Sequence, residues 1–202
     1  MAVITLPSNL RVGPGSGMGQ TRFDLATRSD ATGAEQLRVF GPPRWLLRLR
    51  QPANLTVDDA ATWRALVLRL RGGVNHLAAH DPGHLAPRGT LRGTLTLSGS
   101  HAQGATTLAI AGSTGTLLAG DMLGIGSGVG TSQLVMVVAD GTHASVTVEP
   151  PLRRTFAGGT AVTWDRPVAY YRLGNEAAQW SYTRGRRTVQ GMALDLVESW
   201  TA

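Results

Sequence analysis

Three histidines and a carboxylate lie close together in the stretch His76-x-x-x-His80-Asp81-x-x-His84. Neutral imidazoles beside a carboxylate are a donor set for zinc and related transition metals, and an i, i+4 pair on a helix presents both rings to one ion. The flanking residues argue against that helix. Gly72-Gly73 stops any helix before His76, and Pro82-Gly83 breaks one before His84. The segment from His76 reads as the start of a strand, in which His76 and His80 project to one side and His84 needs a loop to join them. A histidine-rich polar turn is therefore the expectation, with His76, His80 and His84 a weak candidate metal cluster. No bound cofactor is expected.

Other chemistry is less well specified. The runs Gly13-x-Gly15-x-Gly17-x-Gly19 and Gly124-x-Gly126-x-Gly128-x-Gly130 superficially resemble phosphate-binding loops. A dinucleotide or P-loop site needs a helix opening directly after the glycines, and neither run is followed by one. Asp58 and Asp59 are explained by a helix start, and Asp121, Glu149 and Asp165 by turns and strand ends. No pair of carboxylates is set up for general acid and base work. Serines are numerous, but no Gly-x-Ser-x-Gly elbow precedes a helix. The chain has no cysteine, which removes thiolate chemistry, disulfides and Cys-ligated zinc. No enzyme is expected.

Residues suited to contact other proteins are easier to find. All 19 basic residues are arginine, and the formal charge is +6. Arginine contacts phosphates well, but these are scattered, and the densest group, Arg184, Arg186 and Arg187, is too short to track a nucleic-acid backbone. Arginine is also enriched in protein interfaces. Of five tryptophans, Trp45 and Trp63 have core phase, whereas Trp180 and Trp200 near the C-terminus could anchor a subunit contact. Trp180, Trp200, Arg184, Arg186 and Arg187 are the interface candidates.

The elements that carry these residues are mostly strands. With 26 glycines, 10 prolines and only 16% charged residues, the composition suits short strands and tight turns. Residues 1–35 read as loop with at most one strand, an arm that orders against a partner. Arg44 to Arg50 alternates with period two and is a half-buried strand; Leu37 and Val39, before Gly41-Pro42-Pro43, suggest a preceding strand paired with it. One helix, about 57–71, starts at Thr56 with Asp59 three residues on, and sets Trp63, Leu66, Val67 and Leu70 on one face. That face should pack on a sheet. From Gly89 to Asp165 short strands are expected at Thr94–Leu97, Thr106–Ile110, Met122–Ile125, Gln133–Ala139, Ser145–Glu149 and Ala161–Trp164, with Asp140-Gly141 as a hairpin signal between two of them. Longer strands return at 168–173, 179–183 and 188–197. The expected fold is mainly β with one amphipathic helix. A β-sandwich or split-barrel host domain, 1–88 plus 166–202, carries an inserted small β-barrel domain, 89–165.

No apolar run reaches the roughly 18 residues of a membrane span. The start has no basic region leading into a long apolar stretch, so synthesis in a cytoplasm is expected.

One pattern resembles a known family. A Trp45 strand is followed by Pro52-Ala53-Asn54-Leu55-Thr56 and the Trp63 helix. Gly72-Gly73-Val74-Asn75-His76, Asp81-Pro82, Pro87-Arg88-Gly89, Leu118-Ala119-Gly120-Asp121 and Glu149-Pro150-Pro151-Leu152-Arg153 come next, and a Trp180 strand and Leu194 to Glu198 close the chain. This resembles minor tail proteins of long-tailed bacteriophages (siphophages), particularly distal tail proteins. The similarity covers most of the chain from about residue 36. It implies a ring, usually sixfold, at the virion's tail tip, between tail tube protein above and baseplate hub protein below. Tape measure protein, and later DNA in transit, would pass through the lumen. It implies no catalytic residues and no membrane. A tube terminator or another baseplate protein fits the same pattern, and a carbohydrate-binding or adhesin-like module with tryptophan platforms is the reading from a different class.

Overall fold

The computed structural model describes residues 1–53, 55–174, 181–183 and 188–201. The chain runs through Val3–Thr5 (β1), Gly17–Arg28 (β2), Glu35–Arg50 (β3), Val57–Leu70 (α1), a 3-10 turn at Arg71–Gly73 and His76–Ala79 (β4). Short strands follow: Leu95–Leu97 (β5), Thr107–Leu108 (β6), Ile110–Ala111 (β7), Thr116–Leu117 (β8), Met122–Ile125 (β9), Gln133–Thr142 (β10), Ser145–Glu149 (β11) and Ala161–Thr163 (β12). Ala169–Leu173 (β13), Ser181–Thr183 (β14), Thr188–Gln190 (β15) and Ala193–Glu198 (β16) complete the order.

Two large sheets and a two-stranded one, β14 with β15, make up the described strands. The first has the order β1-β4-β13-β16-β3-β2, with β1 parallel to β4 and the other pairs antiparallel. Period-two alternation places Trp45, Leu47, Leu49, Leu194 and Leu196 on one buried face. Against that face α1 lays Ala60, Trp63, Leu66, Val67 and Leu70, as its periodicity predicts. Thr56 caps the helix, its hydroxyl accepting the Asp59 N–H at 3.2 Å. The helix ends one residue before the glycine pair: Arg71 itself takes the left-handed conformation, φ 49°, followed by Gly72 at 61°.

The chain leaves this sheet after β4 and returns in β13, the strand beside β4. Between them lies the second sheet, in the order β6-β11-β10-β9-β12-β5-β7, with β8 pairing on β10. Its edge strands β6 and β7 are one stretch of chain separated by Ala109 alone, so the ladder closes into a small barrel. Leu91, Leu95, Leu108, Ile110, Val135 and Val148 are among the side chains that fill it. Met122 and Leu134 on its wall join the core beneath the first sheet.

Four local expectations are corrected. Residues 17–28, expected to be loop, form β2. Leu37 and Val39 do not lie on a strand paired with Arg44 to Arg50; they lie on the same strand, and β2 is its partner. Gly41-Pro42-Pro43 looked like a turn, but proline only removes a ladder donor, and a bulge tolerates that. The register steps from Thr21↔Arg44 to Phe23↔Gly41 and then to Asp24↔Val39, so β3 takes an extra residue twice. The β10–β11 turn is His143-Ala144, with Thr142 paired to Ser145, while Gly141 pairs with Leu117 of β8. Residues 188–197 form two strands because Gly191, at φ 86°, turns the chain between them.

Candidate assembly surface

One ribbon carries both a buried root and an exposed tip. At the root, Leu47 and Leu49 are 1% and 0% exposed. Beyond the two bulges nothing in the described chain covers the strands, and Leu37, Val39 and Phe40 stand 62%, 67% and 61% exposed. Cross-strand neighbours share a face, so Val39 and Leu37 lie with Asp24 and Ala26 on one side, and Leu25 with Arg38 on the other. Arg38 lies over the Phe40 ring at 5.3 Å, adding that aromatic to the Leu25 side. Both faces of a two-stranded arm are thus apolar in part, and two strands alone are marginally stable in water. Arg22, Arg28 and Arg38 are balanced on the arm by Asp24, Asp30 and Glu35, so the whole formal charge of +6 resides elsewhere.

The other end of the ribbon forms a groove of about 650 Å³ on the sheet face away from α1. Gly17, Met18 and Gly19 of β2, Leu46 and Arg48 of β3, and Asp195 and Val197 of β16 line it. A Cβ built on Gly17 or Gly19 would meet nothing within 4 Å. Arg48 and Asp195 pair across the groove at 2.6 Å and carry no net charge between them.

Two buried carboxylates tie the barrel to the first sheet and its linker. Asp121 accepts the backbone N–H groups of Arg88 at 2.8 Å, Gly89 at 3.1 Å and Leu118 at 2.8 Å. Burial pushes its pKa up, but the three N–H donors outweigh burial and hold it below the usual carboxylate range. Glu198 accepts the Trp45 N–H at 3.0 Å and meets the Arg153 guanidinium at 3.5 Å. Here burial prevails, and the pKa is raised despite Trp45, Trp200, Arg153 and Arg44. Trp45 adds a bond from its indole N–H to the Leu134 carbonyl at 2.8 Å, and Arg153 also donates to the Ser132 carbonyl.

Trp200 belongs to this joint. Arg44 and Arg153 lie over its ring at 4.6 and 4.8 Å, contacts made within the chain. Among the described residues, Arg44 Nε and the Tyr171 hydroxyl near Glu198 are buried without a hydrogen-bond partner. Trp180, Arg184, Arg186 and Arg187 lie outside the described residues.

The histidines separate. His76 is buried on β4, where its Nε2 accepts from Arg172 Nε at 3.1 Å and lies 3.3 Å from the Ser199 hydroxyl. Burial first, and Arg172 second, lowers its pKa. With Arg172 occupying that lone pair, the imidazole is not poised to take a proton from Ser199. His80 is also lowered by burial, with Arg166 adding to it, and His84 Nε2 accepts the Met122 N–H at 3.3 Å. Among the described residues no three metal-ligating side chains converge. The two glycine runs lead into strands β2 and β10. Among the described helices none is long and apolar enough to cross a membrane.

The exposed arm was not marked in the sequence as a strand pair. Its signal was present in the apolar Phe23, Leu25, Leu37 and Val39, but the prolines concealed their continuity. No protein-family model matches the chain, and no curated protein matches it in sequence.

Proposed function

We propose that this chain is a structural subunit of the tail tip of a long-tailed bacteriophage. In this reading it closes with copies of itself, six by the resemblance, into a distal-tail-type ring. The ring joins the tail tube protein to the baseplate hub protein, admits the tape measure protein and DNA through its lumen, and needs no catalytic residue. The observation that carries the reading is the arm: a ribbon with apolar side chains on both faces gains stability only when another surface covers it. Two further features support it. The first sheet ends in the open strands β1 and β2, whose unpaired backbone groups suit pairing between neighbours. The tryptophan strand and tryptophan helix on which the family resemblance rests pack together in one core.

Carbohydrate stacking gains less support. Of the platform candidates Trp164, Trp180 and Trp200, Arg92 lies over the Trp164 ring and Arg44 and Arg153 lie over the Trp200 ring, while Trp180 lies outside the described residues.

Sedimentation over a concentration series, together with negative-stain imaging, tests the proposal. Closed rings of defined mass are the expected result. A monomer at every concentration, together with a tail that assembles normally without this protein, would overturn it.

A further inference from the structure

We infer that the groove at the root of the ribbon receives the arm of a second copy of this chain, so that subunits join head to tail. The inference rests on the assembly reading and adds to it which surface meets which.

Arm and groove occupy opposite ends of the same two strands. Nine residue steps along β2 lead from Gly19 to Arg28, a span of about 30 Å at 3.3 Å per residue. A paired ribbon does not fold back over that length, so a subunit cannot fill its own groove with its own arm. A second copy brings an arm of matching chemistry. Leu37, Val39 and Ala26 form an apolar ridge, while Leu46 and Val197 line the groove and Gly17 and Gly19 leave its floor free of side chains.

Charge favours the same pairing. Copies of a chain with a formal charge of +6 repel one another unless the surfaces that meet are balanced. The arm is balanced, and the groove's charged lining residues, Arg48 and Asp195, neutralise each other. A contact between two different patches is heterologous. Repeated with a fixed rotation, it closes into a ring or continues as a filament, which a self-complementary contact does not do.

Two variants of the full chain separate the surfaces. Leu37→Asp with Val39→Asp disables the arm. Gly19→Trp fills the groove, at a position where an added Cβ meets nothing within 4 Å, and Gly17→Phe repeats the test from a second position. Thermal unfolding of each variant first establishes that it is folded. Sedimentation then reads assembly at concentrations where the unaltered protein assembles. Each variant alone is expected to remain monomeric. Mixed in equal amounts, the arm variant and the groove variant should form dimers and nothing larger, because one intact arm faces one intact groove. If the folded groove variants assemble normally, or the mixture stays monomeric while the arm variant is also monomeric, the groove is wrong and the assembly reading stands. If the unaltered protein never assembles, both fail together.

Discussion

The two ends of the β2–β3 ribbon share a backbone and differ in what surrounds them. At the root, Trp45, Leu47 and Leu49 sit beneath α1 and the barrel wall, and the Trp45 N–H is held by Glu198. At the tip, residues of the same type, Leu37 and Val39, face outward. Composition does not distinguish the two halves; coverage does. The root is stabilised by this chain's own helix and barrel, whereas nothing among the described residues covers the tip. Substitutions at the root should therefore be read in folding, and substitutions at the tip in association.

The largest effect is expected at Trp45. Trp45→Ala removes a buried ring and its bond to the Leu134 carbonyl, and such truncations cost about 3–5 kcal/mol. Urea unfolding measures this directly. A loss below about 1 kcal/mol would mean that root and tip are equally loosely held, and the contrast would vanish.

The sequence carried the root more legibly than the tip. Trp45, Leu47 and Leu49 alternate without interruption, and Trp63, Leu66, Val67 and Leu70 keep helical phase, because each group faces one continuous core. The short barrel strands were legible for a related reason: Met122–Ile125 and Ser145–Glu149 are bounded by turn residues on both sides. The arm was hidden because Pro42-Pro43 reads as a turn when bulges are not considered, and because a ribbon without a covered face lacks clean alternation. The joint was hidden for another reason. Glu198, Arg153 and Arg44 meet across more than 100 residues of chain, and no local pattern encodes such a meeting. Trp200 was singled out for an intermolecular role, and the structure adds contacts from two arginines of its own chain that no local pattern announces.

A smaller effect, of either sign, distinguishes the two carboxylates that hold the barrel in place. Asp121 has a depressed pKa in the folded chain, so its contribution is present above the ordinary value of about 3.9 and is lost as pH falls through the folded pKa. Glu198 has a raised pKa, so its contribution is complete below the ordinary value of about 4.3 and is lost as pH rises through the folded pKa. Unfolding free energies measured from neutral pH into the acid range should show the advantage of wild type over Asp121→Asn shrinking. Over the same range the advantage over Glu198→Gln should grow. Each change is about 1.5–3 kcal/mol, the scale of hydrogen bonds to charged groups. Parallel trends would mean that Glu198 is as fully satisfied as Asp121, and that the root's polar anchor is no softer than the linker's.

The smallest effect on folding is expected at the tip, and it bears most directly on the proposed assembly. Val39→Asp places a charge where the side chain is already 67% exposed, so the unfolding free energy should stay within about 0.5 kcal/mol of wild type. Asp24 lies directly across the ribbon from position 39, and like charges on such a pair repel, which sets the expected sign slightly unfavourable. The comparison variant Val39→Thr keeps the β-branched shape without the charge. If Val39→Asp folds as well as Val39→Thr but loses association, the apolar ridge acts between molecules. If it unfolds like a root variant, the tip is already covered by its own chain, and the distinction between the two ends of the ribbon fails.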